Sequence, residues 1–159
     1  MNEFLKMLAE KLSTYRFFNF IIPGAVFLGF LKFHEVVIIF DENIWWFLLA
    51  SYFSGIVISR FGSVVVEGLM KKLKVLKDYD VKKYITKQRD SMLVGTMLEL
   101  ANTYRTFCAL GVIIFVFTVI TFPCERRTAY YVVIELGFVI LFLYSFHKQY
   151  KYFEDSMKD

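Results

Sequence analysis

Four long apolar windows, separated by charged stretches, constrain this chain more than any other feature of its sequence. The first runs from Phe17 to Phe40, broken in its second half by Lys32, His34 and Glu35. The second runs from Ile44 to Ser59 and, past Arg60, continues from Phe61 to Val66. The third, Phe107 to Phe122, carries no charge, and the fourth, Tyr130 to Phe146, is interrupted only by Glu135. A helix needs about 20 residues to cross ~30 Å of hydrocarbon, so the last two windows must draw residues from their flanks. The first contains Pro23-Gly24 and lacks a cleavage site before an extended soluble region, so it reads as a retained span rather than a leader. Apolar residues make up 57% of the 159, against about 45–50% in soluble domains; an ordinary soluble enzyme is excluded. The expected fold is an all-α membrane protein of four transmembrane helices, arranged as two hairpins with a helical cytoplasmic connector. Its parts are a cytoplasmic amphipathic segment (1–16), hairpin 1 (17–66), the connector (67–106), hairpin 2 (107–146) and a cytoplasmic tail (147–159).

Lysine and arginine placement sets the orientation, because cytoplasmic loops carry the excess. Residues 1–16 hold three, residues 68–106 nine, and the tail three more. The link at 34–43 has none, and the link at 123–129 has only Arg126 and Arg127. Both termini and the connector are therefore expected in the cytoplasm. Tyr15, Trp45, Trp46, Tyr130, Tyr131 and Tyr150 fall where aromatic side chains favour the headgroup region. Cys108 and Cys124 sit sixteen residues apart on the third span, ~24 Å along a helix, too far to bridge each other.

The connector divides into three helical pieces. Val65, Leu69, Leu73 and Leu76 recur at helical spacing and continue span two into the cytoplasm. Asp78 or Asp80 caps a short second piece with Val81, Tyr84, Ile85 and Gln88 on one face. Ser91 caps a third, with Leu93, Met97, Leu100 and Tyr104 leading into span three. About forty residues cannot bury a core alone, so the connector needs the membrane or sister subunits to pack against. Its polar side is basic: Lys71, Lys72, Lys74, Lys77, Lys82, Lys83, Lys87 and Arg89 stand against Asp78, Asp80 and Asp90. One reading is positive-inside topology with anionic lipid as the partner. The other is a polyanion site, in which Tyr79 and Tyr84 among the lysines supply stacking faces for single-stranded nucleic acid.

Ionisable groups inside a membrane mark a partner, a cavity or a pore. Glu135 lies six residues into its window, ~9 Å deep at 1.5 Å per residue. Thr118 and Thr121, near the end of span three, are within reach as donors; a ring of such glutamates from several subunits would favour cations. Arg60, sixteen residues after Ile44, lies ~24 Å down its own span, where it either snorkels to the inner interface or meets Glu67, two turns on. In span one, Pro23 removes the amide that would bond the Asn19 carbonyl, so Pro23-Gly24 marks a kink and a hinge. Ala25-x-x-x-Gly29 and Ser51-x-x-x-Gly55 are small-residue stripes of the kind that lets helices approach closely in lipid.

No reaction chemistry emerges. His34 and His147 fall on opposite sides of the membrane, and there are no paired carboxylates, Ser–His arrangements or metal-ligand spacings. No enzymatic activity, cofactor or metal is expected.

The strings Asn19-Phe-Ile-Ile-Pro-Gly24, Ile58-Ser-Arg-Phe-Gly62 and Asn102-Thr-Tyr-Arg-Thr-Phe107 flank the spans. With the order of spans, they resemble the small four-span membrane effectors of bacterial antiphage operons, and most of all the Hailong-type DNA-gated channel effector. That resemblance implies a homo-oligomeric channel in the bacterial inner (plasma) membrane, with a tetramer favoured. It implies control by short single-stranded DNA, or another nucleotide, made by a partner nucleotidyltransferase and held on the lysine-rich connector. Opening would depolarise the membrane of an infected cell. A different expectation also fits the residues: a non-conducting anchor or scaffold that docks a soluble protein through the same connector.

Overall fold

A computed structural model of the chain describes residues 19–36, 43–76, 84–86, 92–121 and 126–157. The predicted N-terminal amphipathic segment lies outside them, as do both predicted links, Cys124, and the Asp78, Asp80 and Ser91 caps. Among the described residues every regular element is helical. Helix α1 spans Asn19–Phe33. Helix α2 runs Ile44–Lys72, α3 Met92–Thr121 and α4 Arg126–Ser156. Residues 84–86 make a single helical turn. Helices α2, α3 and α4 are each long and apolar enough to cross a membrane. The described part of α1 is apolar but shorter, so the fourth span and the two-hairpin layout belong with the functional proposal below.

The chain divides into two compact units, residues 1–58 and 59–159. In the first, α1 and the start of α2 run antiparallel with their backbones in contact. A Cβ added at Gly24 would fall inside the Ser51 carbonyl oxygen and 2.8 Å from the Gly55 amide nitrogen. One added at Gly55 would strike the Phe20 carbonyl. Ser51 is fully buried and returns its hydroxyl to the Phe47 carbonyl at 2.7 Å, so it adds no unmet polar group to the contact. The Phe20 and Tyr52 rings meet edge to face beside it. The Ser51/Gly55 stripe thus works as its spacing predicts, whereas the Ala25/Gly29 stripe does not: Gly29 has open space around it, and Gly24 makes the approach. Helix α1 is continuous through Pro23, whose ring is buried.

In the second unit, α3 and α4 pack antiparallel along most of their length. Gly111 admits the Phe138 and Val139 side chains, which stand 2.9 Å from where its Cβ would be. Phe107 stacks on Phe142 with centroids 5.1 Å apart, and Phe138 and Tyr104 tilt onto the same ring. Both helices outrun the ~30 Å of a bilayer core, which about 20 residues cover. The third predicted connector piece is therefore the first part of α3, and the predicted tail is the last part of α4, with no boundary in either. There Val94, Ala101 and Cys108 recur every seven residues on α3, and Phe146, Tyr150, Phe153 and Met157 recur at four-three-four spacing on α4; all are buried. This is the seam spacing of helices packed nearly antiparallel or parallel. The Tyr84 ring lies edge-on against Phe153 at 5.9 Å.

The end of α2 differs from the sequence expectation. Its predicted face of Val65, Leu69 and Leu73 is exposed, and the buried stripe is Ile58, Gly62, Val66 and Met70. A four-residue spacing creeps ~40° per step around an α-helix of 3.6 residues per turn. Here Gly62–Glu67 is a π-helical turn, whose i→i+5 bonding holds more residues per turn and keeps the stripe on one side. Gly62 at its head abuts α3, its absent Cβ 3.1 Å from Ala109 Cβ and 3.2 Å from the Arg105 carbonyl oxygen. The helix then stops at Lys72, short of Leu76. Lys74 takes a left-handed φ of 58°, with bonds from its amide to the Lys71 carbonyl and from the Val75 amide to the Met70 carbonyl, both 2.9 Å. Glu35 ends α1 in the same way, with a φ of 57°. These are Schellman terminations in which a side-chain-bearing residue occupies the position usually given to glycine.

Two predictions follow from this packing. Gly55→Ala should lower stability by about 1–3 kcal/mol, because a methyl group must displace backbone at an already filled contact. Gly29→Ala, with space around it, should be neutral or gain up to about 1 kcal/mol in helix propensity; thermal unfolding in detergent separates the two. Lys74→Gly should raise stability by about 1 kcal/mol by removing the left-handed penalty. Lys74→Ala, which loses the charge but keeps a Cβ, should not.

Candidate functional site

Two polar contacts made by carboxylate side chains join helices of the second unit, thirteen residues apart on α3, or ~20 Å along the helix. The upper contact pairs α3 with α4. Thr118, buried, donates to Glu135 Oε1 at 2.8 Å. This is the hydrogen bond expected from the sequence. Glu135 Oε2 is shielded from solvent and, among the described residues, has no hydrogen-bond partner. A carboxyl oxygen without a partner in apolar surroundings is costly, and a cation or a hydrogen-bond donor would satisfy it. Of the three long helices, α4 is the least covered in its most apolar stretch, with Val133, Ile134, Ile140, Leu141 and Tyr144 all exposed.

The lower contact pairs α2 with α3. The π-helical turn ends at Glu67, and Gly62 brings the two backbones close enough for that side chain to reach across. Arg105 Nη1 donates to Glu67 Oε2, and Lys71 Nζ lies 3.1 Å from Glu67 Oε1. The carboxylate is thus shared between two cations, and the cluster keeps one net positive charge. It is largely sheltered, with the Arg105 and Glu67 side chains 12% and 17% exposed. Arg105 Nε is buried and unmatched by any acceptor among the described residues. At the next residue of α3, the Thr106 hydroxyl donates to the Asn102 carbonyl at 2.9 Å and lies 3.3 Å from Ser59 Oγ.

Of the residues singled out from sequence, Glu67 finds its partners in Arg105 and Lys71 rather than in Arg60, which is exposed. Seven residues, or ~10 Å of helix, separate Arg60 from Glu67, while α3 presents Arg105 directly across the contact. Sequence reasoning counted Arg105 among the topogenic charges and missed this role. The available signal was a pair of opposite charges at the connector ends of the two helices that flank the connector. Lys72 and Lys74 are exposed at the end of α2. Tyr84 is half-buried, with its ring against Phe153. Lys77, Tyr79, Lys82, Lys83, Lys87 and Arg89 lie outside the described residues. No group of three or more His, Cys, Asp or Glu side chains converges on a metal-sized site among the described residues.

No protein-family model, curated protein or solved structure matches the chain.

The Thr118–Glu135 bond can be weighed by a double-mutant cycle. Thr118→Val and Glu135→Leu, each of which removes one partner of the bond, should show, singly and together, a coupling of about 0.6–1.7 kcal/mol in detergent unfolding, the range of interhelical hydrogen bonds in membranes. Strict additivity would mean that the two side chains do not meet.

Proposed function

We propose that the chain is an oligomeric membrane effector, a ligand-gated ion channel that depolarises the bacterial inner membrane in antiphage defence. Four spans cross the bilayer, the fourth being the helix that contains Asn19–Phe33, and both termini face the cytoplasm as the positive-inside rule requires. A nucleotide or short DNA oligomer held at the basic connector controls it. The observation that supports this reading is Glu135: a carboxylate within an apolar span with one oxygen bonded to Thr118 and the other, among the described residues, without a partner. It sits on the one of the three long helices whose apolar stretch is least covered among the described residues. Four helices of this length enclose no water-filled path, so conduction requires several copies around an axis. In such a ring Glu135 would face the path, and the field of several carboxylates would favour cations.

The continuity of the helices supports the coupling. Helix α3 carries the end of the connector into the membrane without a break, and α4 carries the tail. A ligand that shifts the cytoplasmic ends therefore moves the spans as rigid levers.

Single-channel recording in planar bilayers, with and without short single-stranded oligonucleotides, tests the proposal. Discrete currents that change with oligonucleotide are expected. Glu135→Gln should then alter cation selectivity or conductance without loss of assembly. Charge reversal at Lys82, Lys83 and Lys87 together should abolish the response but not insertion. Silence from an inserted, assembled particle would instead favour the docking scaffold.

A further inference from the structure

The Glu67–Arg105–Lys71 cluster has the composition of an anion site already occupied by an internal anion. Glu67 offers one oxygen to each cation and engages Arg105 through Nη1 alone. The Nε–H of the same guanidinium is buried and, among the described residues, unmatched. A guanidinium fork is best satisfied by an acceptor that takes two of its N–H groups at once. A phosphate group can do so and still present another oxygen to Lys71, whereas the Glu67 carboxylate, divided between two cations, does not. The cluster's net positive charge and the exposed Lys72 and Lys74 on the adjoining turns add to the attraction.

We propose that Arg105 and Lys71 form a phosphate-binding site for which Glu67 is the resident competitor. A phosphate-bearing ligand displaces the carboxylate and thereby breaks the ion pair that ties the π-helical turn of α2 to α3. This inference rests on the reading of the chain as controlled by an anionic ligand. It identifies where that ligand's phosphate is sensed. The group comes from a soluble nucleotide or oligonucleotide, or from an anionic lipid headgroup at the cytoplasmic face; the chemistry is shared, and the two sources are separable by experiment.

The test uses the full chain in neutral detergent and reads thermal unfolding, which is independent of conduction. Three probes are titrated at constant ionic strength: inorganic pyrophosphate, a hexamer of thymidylate, and phosphatidylglycerol with phosphatidylcholine as its neutral control. Wild type should be stabilised in a saturable manner. A response confined to pyrophosphate and the hexamer assigns the site to a soluble ligand, and one confined to phosphatidylglycerol assigns it to lipid. Glu67→Gln removes the competitor and should tighten apparent affinity by about tenfold, while Arg105→Lys, which keeps the charge but loses the fork, should weaken it by about tenfold, the scale of one charge-assisted hydrogen bond. The double variant Glu67→Gln/Arg105→Gln removes both charges of the pair and should fold yet show no saturable shift. If no probe stabilises wild type, or Glu67→Gln leaves the affinity unchanged, the site is rejected. Oligonucleotide-dependent currents that persist in Arg105→Lys would reject it while leaving the channel reading intact. Binding as proposed in a protein that never conducts would do the reverse.

Discussion

Inside hydrocarbon, lipid tails are as apolar as leucine, so burying one apolar helix face against another gains nothing from the exclusion of water. Association must come from close packing and from the few polar groups that find partners. The contacts in this chain follow that rule. In the first unit, Gly24 and Gly55 let two backbones touch. In the second, Gly62 brings α2 against α3, and Gly111 admits two side chains of α4. Three polar contacts lie beside these approaches: Thr106 with Ser59, Thr118 with Glu135, and Arg105 with Glu67. Large apolar residues such as Val57, Val64, Ile120 and Val133 point outward, where a soluble protein of this size would bury them.

This reversal explains what the sequence did and did not reveal. The three long spans were legible from apolar length alone, and the Ser51/Gly55 stripe from its spacing. The approach in α1 is made by Gly24, one position before the Ala25/Gly29 stripe; with Phe20 and Leu28 four residues to either side, Gly24 belongs to no small-residue stripe, and only the crossing point reveals it. The buried face of α2 was misjudged for a deeper reason. Leucine and valine at helical spacing signal a core in water, but at a membrane helix they signal lipid just as well, and the packing face was the one bearing glycine. The π-helical turn that keeps that face in line leaves no compositional trace in Gly-Ser-Val-Val-Val-Glu.

The division of the chain into connector, spans and tail was drawn where hydropathy changes, and the helices do not change there. Helices α3 and α4 run through the interface because nothing ends them: neither the connector end of α3 nor the tail of α4 holds a proline. The four-three-four spacing of Phe146, Tyr150, Phe153 and Met157 was readable in the sequence as a packed seam; it was passed over because three lysines made that stretch look like a solvated tail. The Tyr84 contact with Phe153 depended on bringing together residues far apart in the chain, which no local pattern encodes.

The two polar contacts of α3 carry different kinds of unmet demand. Among the described residues, an acceptor at Thr118–Glu135 lacks a donor and a donor at Glu67–Arg105 lacks an acceptor. Because they stand ~20 Å apart on one uninterrupted helix, neither can relieve the other. A cation or a donor suits the upper site, and an anion suits the lower. A rigid helix between them makes the sites mechanically dependent: a change of partner at Arg105 that shifts α3 against α2 also shifts Thr118 against α4. Coupling of this kind needs no chain of intermediate residues. It requires only that the contact at one end have two alternative partners of comparable strength, and a carboxylate split between two cations is a contact that another anion can contest.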